Sequence, residues 1–190
     1  MKNKKKKIVY AALSADILHE GHINILKYAN KLGDVIVGLL TDEAIASYKN
    51  IPTLNYRQRE IVLKNIRYVK KVIPQKTLDY RPNLYFIKPN YVVHGDDWKT
   101  GVQKNTRRQV ILTIKKWGGK LIEPNYTKNI SSTKIKSNLI SQLTPTSRVS
   151  NLRRLLKTKK LVRVLEAHSP LSGLLIENTK IEKKNKIEQF

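Results

Sequence analysis

The chain has 190 residues, enough for one ordinary domain and part of a second, and it lacks cysteine, which excludes disulfides and thiolate chemistry. Its 38 Lys and Arg against 14 Asp and Glu give a formal charge of +24, an excess that attracts triphosphates, nucleic acid or an anionic membrane. No apolar run is long enough to span a bilayer, and Phe and Trp are too scarce for a single-strand stacking platform, so nucleic acid is not the expected partner. The lysine run Met1–Lys7 ahead of Ile8–Ala15 superficially copies a secretory signal. Its apolar part is short and is closed by Asp16 and His19, so a cytoplasmic location is expected.

In chain order, Ile8–Leu13 reads as a buried strand, and Glu20–Lys31 has helical apolar spacing with Gly33 as its stop. Val35–Leu40, rich in β-branched residues, is a second strand, which makes a right-handed parallel crossover. The alternation continues with a helix over Arg57–Val69 and a strand over Lys71–Ile73 stopped by Pro74. A helical patch at Leu84–Ile87, a strand at Tyr91–His94, a helix at Gln103–Trp117 and a strand at Lys120–Ile122 follow. Ser131–Ile140 closes the series as a helix. The pattern predicts an α/β fold with a Rossmann-like, doubly wound, five-stranded parallel sheet. Ligands of such sheets sit beyond the carboxyl ends of the strands, so the loops after strands one, two, four and five carry the information. The domain is expected over 1–142, with 143–150 a turn-rich linker. Residues 151–190 form a partial C-terminal extension: a basic helix at Asn151–Lys160, a strand at Val162–Leu165, a helix at Leu171–Glu177 and a charged tail. Forty residues cannot bury a core alone.

The sharpest feature is His19-Glu20-Gly21-His22, in the loop after the first strand where a helix begins. Gly21 lets backbone approach a ligand closely, and the helix N-terminus offers N–H groups and partial positive charge to a phosphate. Two imidazoles three residues apart can hold the same anion. A zinc site and a purely structural pair compete with this reading; no cysteine and no nearby third ligand accompanies the histidines.

The stretch Ala15–His22 resembles the first signature of the HxGH nucleotidyltransferases. Further segments are similar to the glycerol-3-phosphate cytidylyltransferase-like branch: His22–Lys27, Leu40–Glu43, Arg59, Asn65–Val69, His94-Gly95-Asp96-Asp97-Trp98 and Ile130-Ser131-Ser132-Thr133-Lys134-Ile135. The resemblance runs collinearly over residues 7–140. It implies in-line attack of a substrate oxygen on the α-phosphorus of CTP with loss of pyrophosphate, which needs mainly positioning and charge stabilisation. It implies that His19, His22 and Lys49 are catalytic, and that Ser14, Ala15, Gly21, Asp96, Asp97, Ile130, Ser131, Ser132 and Thr133 hold the nucleotide. Arg59, Arg67 and Tyr126 would contact the substrate. Magnesium (Mg2+) would arrive on the CTP phosphates, with no dedicated protein ligand. A homodimer is also what the family suggests.

The chain departs from that branch in reading Leu13-Ser14-Ala15-Asp16 for Gly-Thr-Phe-Asp, and Tyr126-Thr127-Lys128-Asn129 for Arg-Thr-Glu-Gly. The lost arginine removes a phosphate fork that tyrosine cannot replace in charge. Both variants, with Asp79–Leu84 and Tyr91–Gln103, are more similar to cytidylyltransferase domains fused ahead of phosphoenolpyruvate mutase. Leu152–Leu156, Val162–His168 and Leu171-Ser172-Gly173 resemble the opening of the mutase barrel, of which 151–190 would be an incomplete start. The mutase's acidic catalytic residues would lie beyond Phe190, so no mutase activity is expected. On this reading the acceptor is a phosphonate, foremost 2-aminoethylphosphonate, for lipid or glycan head groups. Glycerol-3-phosphate, phosphocholine or phosphoethanolamine as acceptor, an adenylyltransferase, and a non-catalytic basic binding module are the alternatives.

Overall fold

The computed structural model describes residues 6–99, 103–125, 127, 130–132, 135–136, 145–159, 162, 165–178, 180–183 and 186–189. Strand β1 (Ile8–Leu13) leads through a loop to helix α1 (Glu20–Leu32), and β2 (Asp34–Leu40) follows. Then come α2 (Asp42–Ala46), α3 (Tyr56–Lys64), β3 (Lys71–Gln75), α4 (Arg81–Ile87) and β4 (Tyr91–Val93). A 3-10 turn at Asp96–Lys99, α5 (Lys104–Ile114) and β5 (Lys120–Ile122) complete the domain. The five strands form one parallel sheet in the order β3-β2-β1-β4-β5. The order reverses between β1 and β4, which opens a crevice at their carboxyl ends.

Both faces of the sheet are covered because the inward residues of each strand alternate. Val9, Val35, Val37 and Leu39 pack with Leu26, Ala29 and Leu63 of α1 and α3. Tyr10, Ala12 and Val92 pack with Leu84, Val110 and Ile114 of α4 and α5 on the other side. Gly33 joins α1 to β2 where no side chain fits: a Cβ there would lie 2.0 Å from the Lys7 carbonyl oxygen. Gly38 makes room for a neighbour in the same way, since a Cβ would meet the Tyr10 hydroxyl at 1.8 Å. That hydroxyl donates to Gln75 Oε1 at the end of β3 and accepts from Asn83 Nδ2 at 3.0 Å. Burial pushes the Tyr10 phenol well above its ordinary pKa.

Several boundaries differ from the sequence reading. β3 runs through Pro74 to Gln75, because it is an edge strand and a proline there can turn its missing N–H outward. Helix α3 stops at Lys64 rather than Val69, where Asn65, Ile66 and Val69 N–H groups turn back on Val62, Leu63 and Ile66. The short α2 was not anticipated; Thr41 caps it by accepting from Ala44 N–H. Helix α6 (Pro145–Thr158) begins inside the expected linker, and α7 (Pro170–Asn178) lies where a helix was expected. Val162 and Leu165 are not in a strand, and the tail forms an antiparallel hairpin, β6 (Lys180–Lys183) with β7 (Lys186–Gln189). Of the predicted helix Ser131–Ile140, the described residues Ser132, Ile135 and Lys136 are helical.

Candidate active site

A cleft of about 420 Å³ opens at the β1–β4 crevice. Its walls include Ser14 after β1, His19, Gly21 and His22 at the start of α1, Lys49 after α2, and His94 and Gly95 after β4. Thr127, Ser131 and Ser132 close it from beyond β5.

His19 is the N-cap of α1, and its Nδ1 accepts the Gly21 N–H at 3.1 Å. His22 Nδ1 accepts the His19 N–H at 3.4 Å, and the two rings lie 4.1 Å apart between centroids. An imidazole that accepts at Nδ1 carries its neutral-state proton on Nε2, so each ring presents an N–H at the edge away from the backbone. Gly21 is what lets the His19 ring fold over the helix start, since a Cβ there would sit 2.9 Å from His19 Cε1. Burial, with His19 and Lys49 nearby, pushes the His22 pKa down to about 3. Burial also lowers His19. Both rings are therefore neutral donors at pH 7.

Lys49 stands at the turn that ends α2, where its backbone N–H and that of Tyr48 bond the Ile45 carbonyl. Its Nζ donates to Ser14 Oγ at 3.1 Å across the mouth of the cleft. The Lys49 loop is tethered further along: Asp16 accepts from Thr53 N–H at 2.5 Å and Leu54 N–H at 3.2 Å. Lys136 pairs with Asp16 at 3.1 Å and donates to the Ile51 carbonyl at 2.8 Å. Ala15, between Ser14 and Asp16, has φ of 46°, a left-handed conformation that costs a non-glycine residue on the order of 1 kcal/mol. It is buried behind Ser14 and does not line the cleft.

Ser131 and Ser132 start a helical turn in which Ile135 N–H bonds the Ser131 carbonyl, and Ser132 Oγ donates to the Ile17 carbonyl at 3.0 Å. Ile130 leads into that turn without lining the cleft. Asp96 and Asp97 lie in the 3-10 turn after β4; the Asp96 carboxylate is 3.8 Å from Lys99 Nζ and is not part of the wall. Thr133 and Tyr126 fall outside the described residues.

Two expected substrate contacts are corrected by the geometry. The Arg59 side chain has no exposed surface, and it donates to the carbonyls of Leu54, Ser14 and Leu40 and, at 2.6 Å, to Asp42. It holds the loop after β1 from behind and does not face the cleft. Arg67 lies before β3, at the amino end of the sheet, where its guanidinium bonds and stacks on Tyr68. The crevice is at the opposite end.

The sequence reading did not single out the aromatic side of the cleft. Tyr80, after β3, and Trp98 line it with ring centroids 5.9 Å apart, and Tyr48 stands at its mouth. His94 stacks flat on Trp98 at 3.9 Å, and its Nδ1–H donates to the Gly95 carbonyl. Trp98 Nε1–H is fixed by Glu123, whose carboxylate Arg107 grips with two nitrogens at 2.8 Å. The available signal was Tyr80 following a strand end and Trp98 within the quoted His94–Trp98 segment.

The family model described as cytidylyltransferase-like matches residues 14–138, the span that supplies every wall of this cleft except its first two residues, Ala12 and Leu13. The chain belongs to the cytidylyltransferase-like family. This cytidylyltransferase is 32% identical over 137 residues to the glycerol-3-phosphate cytidylyltransferase of Staphylococcus aureus (strain NCTC 8325 / PS 47), covering 71% of this chain and 95% of that one. It is 32% identical over 103 residues to the ethanolamine-phosphate cytidylyltransferase of Arabidopsis thaliana, covering 51% of this chain and 24% of that one. Among solved structures, the lipopolysaccharide core biosynthesis protein from Thermoplasma volcanium GSS1 shares the fold, with TM-score 0.55 and 23% identity over 65% of this chain and 99% of that one. The chain is thus an enzyme of the CTP-dependent cytidylyltransferase kind. No helix among its described residues is long and apolar enough to cross a membrane.

Proposed function

We propose that this cytidylyltransferase transfers CMP from CTP to a small phosphonate that carries an ammonium group, foremost 2-aminoethylphosphonate. The observation that carries the transfer reaction is the pair of imidazoles, His19 and His22, set side by side in the cleft wall where α1 begins. The departures at Leu13 and Tyr126 and the resemblance of 151–190 to the mutase opening support the phosphonate over a phosphomonoester. In such a fusion, Leu152, Leu156, Leu171, Leu174 and Leu175, now exposed, would pack against the rest of the barrel.

In this mechanism an acceptor oxygen attacks the α-phosphorus of CTP, the bond from that phosphorus to the bridging oxygen breaks, and pyrophosphate leaves. No covalent enzyme intermediate forms. The Nε2–H groups of His19 and His22 donate to the α- and β-phosphate oxygens as charge builds on the bridge. Lys49 leaves Ser14 and crosses to the α-phosphate, bringing positive charge to the reacting centre. Ser131 and Ser132 receive the β- and γ-phosphates at the start of their helical turn, with Thr133 next to them in the sequence. Ser14 and Gly21 bring backbone close to the nucleotide, with Ala15 buried behind Ser14, Ile130 leads into the phosphate turn, and Asp96 and Asp97 would have to turn in from the turn after β4 to bind ribose and base. Tyr126 contacts the acceptor. Mg2+ fits as a passenger on the triphosphate: the wall offers hydroxyl oxygens at Ser131 and Ser132, donors suited to a hard cation already held by phosphate. When bound it would neutralise phosphate charge.

The test is a panel of acceptors with CTP and Mg2+, read by pyrophosphate release. The expected order places 2-aminoethylphosphonate ahead of phosphoethanolamine and phosphocholine, with glycerol-3-phosphate last. Glycerol-3-phosphate ranked first would discard the acceptor reading and keep the enzyme class. His22→Ala should lower the rate by roughly 10²–10³-fold, the usual cost of losing one preorganised donor.

A further inference from the structure

Helices α4 and α5 present an outward side that lines no part of the cleft and that the transfer reaction does not use. Phe86 on α4 is 82% exposed and Leu112 on α5 is 57% exposed. Lys116 donates to the Tyr85 hydroxyl at 2.9 Å and lies over that ring. Leu84 and Val110 turn toward the sheet, and Phe86 and Leu112, each two residues further along its helix, are rotated by about 200° and turn away from it on the same side of the sheet. Lys104, Arg108, Leu112 and Lys116, all exposed, form a row along that side of α5 at four-residue spacing.

Around these side chains the exposed charge is basic. From Arg81 to Ile122 the chain has nine Lys and Arg; Arg81, Lys99 and Arg107 face Asp79, Asp96 and Glu123, and the other six, Lys88, Lys104, Arg108, Lys115, Lys116 and Lys120, are all exposed. On the other flank of α5 runs a shallow groove of about 310 Å³ with an apolar floor of Ile111, Ile114, Leu121 and Ile122 and a rim of Lys115 and Lys120.

We infer that the α4–α5 face docks on the surface of an anionic phospholipid bilayer, with Phe86 and Leu112 entering the interface and the surrounding lysines on the head groups. Basic residues around exposed aromatic and aliphatic tips are the chemistry of interfacial binding, in which apolar burial and attraction to anionic lipid add. The groove favours the same partner over nucleic acid, because an apolar floor under a basic rim suits an amphiphile rather than a sugar–phosphate backbone. The inference does not rest on the identity of the acceptor.

The experiment is vesicle co-sedimentation at about 0.15 M salt, where weak long-range attraction is screened. Vesicles of phosphatidylcholine alone are compared with vesicles containing phosphatidylglycerol. The protein should sediment with the anionic vesicles and not with the neutral ones. Phe86→Ser with Leu112→Ser, which leaves the charge untouched, should weaken binding roughly tenfold, given the apolar area withdrawn. Lys115→Glu, Lys116→Glu and Lys120→Glu together should weaken it at least as much. The same reversal on the opposite side, at Lys27, Lys31 and Lys70, should leave it within about twofold if the effect is local. Each variant's pyrophosphate release and unfolding midpoint, expected at wild-type values, show that it is folded. Equal loss from the opposite-side reversal would overturn the proposal. So would wild-type binding by the serine variant, or retention of duplex RNA with no binding to vesicles.

Discussion

Arg59 has its side chain enclosed, with the carbonyls of Ser14, Leu40 and Leu54 and the carboxylate of Asp42 around its guanidinium. Removing it takes the donor from three carbonyls and leaves Asp42 with only the Tyr56 N–H among the described residues, which costs about 3–5 kcal/mol for a buried charge pair broken from one side. Arg59→Ala should therefore lower the denaturation free energy by that amount in urea titration. A fully stable variant with a raised KM for the acceptor would instead return Arg59 to the substrate. Sequence could show a basic residue on a helix but not its burial, because the acceptors come from three segments apart in the chain. The histidine pair was legible for the opposite reason. Its geometry is local, written within four residues by the cap, the glycine and the helical turn.

At the scale of elements, the strands were read nearly to the residue, because a parallel sheet covered on both faces demands short apolar runs. Pro74 misled, since its consequence depends on whether the strand is at the edge, which is a property of the whole sheet. The aromatic wall escaped for the same reason: Tyr80 and Trp98 meet only after β3, β4 and β5 are in place. That wall is held by the link from the turn after β4 to the end of β5. Arg107 chiefly, and Trp98 further, keep the Glu123 carboxyl below its usual pKa. Glu123→Ala leaves a buried indole N–H with no acceptor, a loss of about 1–3 kcal/mol. The expected result is a lower unfolding midpoint and, from a loosened ring in the cleft wall, a raised KM at temperatures where the variant is folded. An unchanged KM would mean that the link serves stability alone.

For the whole molecule, the lowered histidine pKa values link stability to pH. His22 titrates near 3 when folded and near its ordinary 6.5 when unfolded, so between those values the unfolded chain binds the extra proton. Its contribution is complete above about pH 6.5 and is lost as pH falls toward 3. Urea unfolding at pH 7 and pH 5 should show the loss, and His22→Gln should flatten it. Identical slopes for variant and wild type would contradict the burial of that ring.

The Tyr10 phenol has a consequence for how turnover can proceed. It starts on β1, passes over β2 where Gly38 has no side chain, and ends on Gln75 of β3. One side chain thus bolts three strands in register, and none can slide without breaking the same junction. The sheet is a fixed anvil beneath the reacting groups. Any closing stroke belongs to the segment between Thr41 and Asn55, clasped at one end by the Gln75 carbonyl and at the other by Asp16, with Lys49 in its span.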